Sequence, residues 1–254
     1  MQDVDHTPIT FAELLAQPGV VEVLDLKGPI GFCAFHGGNL ERVTEQIASE
    51  AAARSGSSFY AVIQPRGMRH HIPSTLVDPT QSPKLAAFVE HCRYVIAVHG
   101  YGLHGHFASL LCGGMNRQLA SHVAHHIRNA LPAYESIDDI DRIPRTLRGL
   151  HPDNPCNLTA GGGMQLELPP RVRGLTPLVM HWPSHDPRRQ RFPHVNHLID
   201  GLIAAATGWS GNHLPPGPVA RPTTPSRHLY LPQPLVRTGV SPIGSHPAGP
   251  TVTL

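Results

Sequence analysis

Two apolar segments of this chain each lead into a histidine followed by glycine, and this arrangement strongly constrains the fold. Residues 30–35 lead into His36-Gly37-Gly38-Asn39-Leu40-Glu41, and residues 95–98 lead into His99-Gly100. Short, continuous apolar runs of this kind are typical of strands that are buried on both faces of a sheet. The sequence therefore predicts two histidines at the ends of two buried strands.

The rest of the first 210 residues alternates between strand-like and helix-like patterns. Strands are predicted at 21–26, 30–35, 59–63, 94–98, 107–112 and 164–168. Helices are predicted from residue 40 to a stop at Gly56, from Pro83 onward, at 116–131 and at 194–206, from apolar residues at helical spacing and from capping residues. This alternation favours one layered α/β domain over residues 1–210.

Residues 211–254 have a different composition. They contain ten prolines, no acidic residue and no apolar period. Such a segment buries too little apolar surface to offset its ordering entropy, so we expect a disordered or extended tail. A Pro-rich docking ligand is the alternative interpretation.

Charge and hydropathy exclude several classes of function. The net charge is only +2, so the chain lacks the broad basic surface that nucleic-acid binding requires. No apolar run is long enough to cross a bilayer, and the acidic N-terminus does not resemble a secretory signal. We expect a cytoplasmic protein with no membrane partner, and its four widely spaced cysteines are predicted to be buried, reduced thiols.

His36, Glu41 and His99 form a candidate metal site. If the two histidine-bearing strands are parallel, the three side chains meet at the carboxyl edge of the sheet, where open α/β sheets bind ligands. Two imidazoles and a carboxylate are a ligand set of catalytic zinc, which keeps a further position open. The alternative is purely structural: Glu41 would favour a helix N-terminus and the histidines would cap strands.

A second glutamate extends this hypothesis. In residues 164–168 the apolar Met164, Leu166 and Leu168 alternate with Gln165 and Glu167, which places Glu167 on the opposite face of the strand. A carboxylate on a largely apolar strand is costly without a partner or a task. Beside a water activated by the metal it would serve as a general base; the alternative is an exposed glutamate on an edge strand.

The helix predicted at 116–131 carries His122, His125 and His126. His122 and His126 have the spacing that allows chelation from one helix face. No carboxylate stands nearby in the sequence, so we favour a solvated face.

Taken together, these motifs resemble the poly-γ-glutamate hydrolase family of phage-type zinc hydrolases. The resemblance covers about residues 28–206 and rests on five short motifs in the family's order: the segment 36–41, His71-Ile72-Pro73-Ser74, Val98-His99-Gly100, Gly113-Gly114 and the segment 162–168. It implies a three-layer α/β/α fold with a mixed, largely parallel central sheet, like that of zinc carboxypeptidases. By position, it implies that His36, Glu41 and His99 bind Zn²⁺ and that Glu167 is the catalytic glutamate.

The resemblance also implies substrate-binding residues. His71 and Ser74 match a motif near the family's cleft, and Asn157 matches an asparagine before the glycine-rich strand. Arg171 and Arg173 follow that strand and are candidates to pair with a substrate carboxylate in bidentate geometry.

The implied function is zinc-dependent hydrolysis of amide bonds in γ-glutamyl or other acidic acyl-amino-acid substrates, which are small or peptide-like molecules. Pro73, where the family more often has threonine, and Pro169-Pro170 leave the substrate less determined than the chemistry. Two alternatives stay open: a non-catalytic zinc or ligand-binding protein of the same fold, and a deacylase of N-acyl amino acids or aminoacyl esters.

Overall fold

A computed structural model describes residues 9–103, 105–175 and 192–210; the predicted tail, residues 211–254, lies outside this range. Its strands are β1 Val21–Asp25, β2 Ile30–Gly38, β3 Ser58–Gln64, β4 Tyr94–Gly100, β5 Ser109–Cys112, β6 Glu135–Ile137 and β7 Gly163–Leu168. Its α-helices are α1 Phe11–Leu15, α2 Thr44–Ser55, α3 Pro83–His91, α4 Arg117–Ala130 and α5 Pro193–Gly208.

The strands form one seven-stranded sheet in the order β1-β3-β2-β4-β7-β5-β6. Strands β3, β2, β4 and β7 pair in parallel, so their carboxyl ends lie at the same edge of the sheet. Strand β1 is antiparallel to β3, and β5 is antiparallel to β7 and parallel to β6. The α/β class and the mixed, largely parallel sheet are therefore confirmed.

Apolar side chains cover both faces of this sheet. On one face the core joins β2, β4 and β7 to α2, α4 and α5, and includes Phe32, Ile47, Ile96, Leu119, Leu166 and Leu198. On the other face the core joins the same sheet to α1 and α3, and includes Phe11, Cys33, Tyr60, Leu85, Phe88 and Val95. Alternate residues of β2 and β4 enter the two cores, which explains why these two strands read as continuous apolar runs.

The helix boundaries follow local chemistry. The side chain of Ser82 accepts a hydrogen bond from the backbone N–H of Leu85 and caps α3, in which Pro83 is the first residue. Asn116 caps α4 in the same way, and Gly56 ends α2 in the left-handed conformation that glycine adopts without strain. The start of α3 at Pro83 and the end of α2 at Gly56 were predicted from the sequence.

Two boundaries beside the candidate site differ from prediction by three or more residues. Strand β2 continues to Gly38 instead of ending at residue 35, and α2 begins at Thr44 rather than near Glu41. Glu41 belongs to a turn, since its carbonyl oxygen accepts hydrogen bonds from both the backbone and the side chain of Thr44. The backbone of Val43 has a φ of 79°, so the helix cannot extend back through this residue.

The prediction that the histidines of α4 lie on a solvated face was wrong for His122 and His126. His122 and His126 are half-buried against α5, and the Nε2 atom of His122 lies 3.0 Å from the carbonyl oxygen of Ala205. The ring of Trp209 is 5.1 Å from that of His122. The interface between α4 and α5 accounts for both residues.

The four cysteines are free and buried, as predicted. In the described ranges, none of the helices combines the length and apolar character of a membrane span.

Candidate metal centre

A β-bulge in β2 turns His36 toward the site. Ala34 lies opposite Ala61 of β3, but Gly37 lies opposite Ile63, so two residues of β2 face the single residue between them. Such a bulge re-aims side chains. The rings of both bulged residues, Phe35 and His36, approach His99 of the neighbouring strand β4, at centroid distances of 6.0 and 5.1 Å.

The turn after β2 brings Glu41 between the two imidazoles. Its Oε1 atom is 2.9 Å from Nδ1 of His36, and its Oε2 atom is 3.4 Å from Nδ1 of His99. The backbone N–H of Gly100 also donates to Oε2, at 2.9 Å. One donor atom from each of the three side chains lies within 4.8 Å of the other two, as a common metal ion requires.

The outward nitrogen of His36 is fixed by the chain itself. It lies 2.8 Å from the carbonyl oxygen of Ile72, which can only accept a hydrogen bond. Nε2 of His36 therefore carries a proton, and Nδ1 faces the cluster. Backbone carbonyl oxygens orient histidine ligands of metal ions in the same way. The Nε2 atom of His99 is buried without a hydrogen-bond partner in the described part of the chain.

The charges of Glu41 and the two histidines shift one another's protonation equilibria. Burial alone would raise the pKa of Glu41, but the neighbouring charges of His36 and His99 hold it well below its ordinary value. Burial alone would lower the pKa of His99, yet the Glu41 carboxylate raises it overall. A carboxylate held ionised between two imidazoles offers a divalent cation three donors at little cost in reorganisation.

Glu167 stands next to this cluster on β7. It is the Cα partner of His99 in the parallel pairing of β4 with β7, and its side chain is 4% exposed. Met164, Leu166 and Leu168 enter the core on the opposite face, which confirms the predicted alternation. The exposed edge-strand alternative is wrong, because β7 lies between β4 and β5 in the interior of the sheet.

Two buried amides hold the Glu167 carboxyl in place. Gln165 donates through Nε2 to Oε1 of Glu167 at 2.8 Å, and Asn154 donates through Nδ2 to Oε1 of Gln165 at 2.7 Å. Burial is the largest influence on Glu167 and raises its pKa to about 7. A carboxyl group with a pKa near neutrality is suited to both accepting and returning a proton.

Comparison with protein families identifies the family of this chain. A family model for poly-gamma-glutamate hydrolase matches residues 12–177. The chain belongs to the poly-gamma-glutamate hydrolase family. The membership identifies the chain as a hydrolytic enzyme and confirms the resemblance drawn from the five motifs.

Solved structures support the fold of this poly-gamma-glutamate hydrolase family member. A bacteriophage poly-gamma-glutamate hydrolase superposes with a TM-score of 0.65 at 20% identity, covering 79% of this chain and 95% of that chain. A zinc-free apo structure of YNDL superposes with a TM-score of 0.60 at 20% identity, covering 73% and 88%. A search of curated proteins gave no significant match.

The predicted substrate-binding residues of this hydrolase differ in exposure and in the partners they contact. The exposed ring of His71 lies 4.9 Å from that of His36, at the mouth of the site. Ser74 begins a short 3-10 turn, Ser74–Leu76, on the same loop. Arg171 is exposed and lies over the ring of Tyr134, 5.9 Å from its centre.

The other two predicted substrate-binding residues already have backbone partners. Asn157 accepts from the N–H of Met115 and donates to the carbonyl oxygens of Gly149 and His151. Arg173 is only 7% exposed, and its guanidinium donates to three backbone carbonyl oxygens. These contacts assign both side chains to holding loops in the structure as it stands.

Sequence reasoning missed the groups that orient the site. Gln165 was recognised only as sharing a face with Glu167. Because residues two apart on a strand lie side by side, this pattern could have predicted the hydrogen bond between them. The carbonyl oxygen of Ile72 and the amide of Asn154 carried no signal, since their roles arise from contacts across 36 and 11 residues of chain.

Proposed function

We propose that this hydrolase is zinc-dependent and cleaves amide bonds of γ-glutamyl or other acidic acyl-amino-acid substrates. The observation that carries the proposal is the grouping of His36, Glu41 and His99, with Glu167 on the adjoining strand. Two histidines and one carboxylate are the protein ligands of several catalytic zinc sites.

The side chains fit this ion in charge as well as number. Glu41 is ionised, and the Nδ1 atoms of both histidines point toward it, so a cation would take the place of the protons they share with the carboxylate. When bound, zinc would polarise the scissile carbonyl and lower the pKa of a water molecule.

Glu167 would move the proton. With Oε1 engaged by Gln165, the Oε2 atom is the one left to accept a proton from the attacking water and then to deliver it to the leaving nitrogen. The amide relay from Asn154 fixes the rotamer of Gln165, so the carboxylate need not reorganise during the step.

For substrate contacts, we propose His71 first, because it is exposed and adjoins His36. Ser74 on the same loop and the exposed Arg171 are proposed to contact the acidic part of the substrate. Asn157 would act through the loops it ties together, rather than by direct contact.

The test is zinc content and turnover of a γ-glutamyl peptide by the wild type and by Glu167→Gln, with the exposed Glu90→Gln as a control. Stoichiometric zinc in all three proteins, with hydrolysis lost only in Glu167→Gln, supports the proposal. An active wild type that contains no metal overturns it. Preferred turnover of an N-acyl amino acid or aminoacyl ester would keep the chemistry but replace the substrate, and bound zinc with no turnover on a broad panel would indicate a binding protein.

A further inference from the structure

Arg173 is a buried cation whose hydrogen bonds to the described residues all lead to backbone carbonyl oxygens. Its Nε atom donates to Leu168 at 3.2 Å, one terminal nitrogen donates to Arg42 at 2.9 Å, and the other approaches the oxygen of Tyr101 at 3.4 Å. A guanidinium is planar and presents its donors in a fixed fork, so three acceptors that satisfy it are held in a fixed relative position.

Each of these carbonyls adjoins a residue of the site. Leu168 follows Glu167, Arg42 follows Glu41, and Tyr101 stands two residues after His99. The three peptide segments lie at the end of β7, in the turn after β2 and just after β4. They are far apart in the sequence. One side chain therefore bridges the three segments that carry the proposed base and two of the proposed metal ligands.

The absence of a side chain at position 100 makes room for this bridge. A Cβ atom on Gly100 would lie 2.6 Å from the central carbon of the Arg173 guanidinium. The N–H of the same glycine donates to Oε2 of Glu41, so the backbone at residue 100 contacts the cluster on one side and Arg173 on the other.

Resting on the zinc hydrolase proposed above, we propose that Arg173 is a positioning residue that fixes Glu41, His99 and Glu167 relative to one another. It does so through the backbone carbonyls of Arg42, Tyr101 and Leu168. A substrate anchor would instead present its guanidinium to an acidic ligand. With 7% exposure and three carbonyl partners, Arg173 meets the first description.

Arg117 provides a matched control. Its guanidinium also donates to three backbone carbonyl oxygens, those of Cys112, Gly114 and Asp138, but none of these adjoins a residue of the cluster. Arg117→Met thus removes a comparable set of bonds around β5 and β6, where no proposed metal ligand lies, and separates loss of stability from loss of metal-site geometry.

The experiment compares wild type, Arg173→Met, Arg173→Lys, Gly100→Ala and Arg117→Met. Four quantities are measured for each: the zinc dissociation constant by chelator competition, Tm, and both kcat and KM on an acidic and a neutral amide. For Arg173→Met we expect zinc affinity and kcat each to fall about 10–100-fold on both substrates, with KM nearly unchanged, as when outer-shell partners of metal sites are removed. Arg173→Lys should recover part of both losses, and Arg117→Met should lower Tm alone.

Gly100→Ala covers the case in which Arg173→Met does not fold. It leaves the charge in place and displaces the guanidinium, so it should also reduce zinc affinity and kcat. A rise in KM confined to the acidic substrate, with zinc affinity intact, would show a substrate anchor and overturn the inference. Equal behaviour of the Arg173 and Arg117 variants would overturn it too, while the zinc hydrolase proposal stands; a wild type that binds no zinc overturns both.

Discussion

The buried carboxyl of Glu167 should make the metal-free enzyme less stable as pH rises, and Glu167→Gln should remove that loss. Burial raises the pKa of this group from an ordinary value of 4.5 to about 7 in the folded protein. Between these two values the folded chain holds a proton that the unfolded chain has released, so the free energy of unfolding falls as pH rises through the window. A shift of this size corresponds to about 3 kcal/mol at pH 8, at 1.36 kcal/mol for each pKa unit.

A glutamine at 167 has nearly the same shape, and its carbonyl oxygen can still accept the hydrogen bond from Gln165. The metal-free variant should therefore exceed the wild type in free energy of unfolding by less than about 1 kcal/mol at pH 5 and by about 3 kcal/mol at pH 8. In a domain of this size that gain raises Tm by about 6–12 °C. The pKa of His99 is also raised, mainly by Glu41, which is present in both proteins; only the smaller contribution of the Glu167 charge is lost in the variant.

The measurement is urea unfolding of chelator-treated protein at pH 5, 6, 7 and 8, with Glu90→Gln as the exposed control. Added zinc should narrow the difference, because a nearby cation favours the ionised carboxylate. A constant difference between wild type and Glu167→Gln across this range would refute the reasoning. So would a wild type that gains stability relative to the variant as pH rises.

Three further outcomes follow from the structure. Glu41→Gln keeps the size of the side chain but removes its charge, so zinc should bind more than about 100-fold more weakly in a chelator competition. This loss should exceed the roughly 10–100-fold that follows when a group hydrogen-bonded to a metal ligand is removed. Gln165→Leu leaves the carboxyl of Glu167 and the amide of Asn154 without their partner, and kcat on a γ-glutamyl peptide should fall about 10–100-fold with KM nearly constant; an unchanged kcat would remove the relay from the mechanism. Phe32→Ala empties a fully buried position and should lower the free energy of unfolding in urea by about 3–5 kcal/mol, whereas the half-exposed Val21→Ala should change it by less than about 1 kcal/mol.

Hydrophobic pattern was sufficient to predict most of the fold. Strands β2, β4 and β7 were found because burial on both faces makes each a continuous or strictly alternating apolar run. Strand β6 was missed: it has three residues at the end of the sheet, and so short a segment has no period to detect. His122 and His126 were misread because α4 is amphipathic on its own, while the packing of α5 over these rings is a tertiary fact.

The composition of the candidate site was also predictable, but its geometry was not. Histidine and glutamate at strand ends gave the donors, and alternation along β7 gave the side on which Glu167 lies. The bulge at Phe35 and His36 depends on the pairing of β2 with β3, and the turn that carries Glu41 depends on the left-handed backbone at Val43. Arg173 was predicted as a candidate to pair with a substrate carboxylate, and its three carbonyl partners could not be foreseen because they come from segments that only the folded sheet brings together.

The order of the strands along the chain determines which parts of the proposed site are synthesised first. On the proposed assignment, the ion's donors sit on β2, on the turn after it and on β4, which is paired directly with β2, whereas the base arrives on β7, 68 residues after His99. A growing polypeptide that has emerged past β4 thus possesses every ligand but no proton acceptor. The three proposed metal ligands are therefore synthesised before the proposed base.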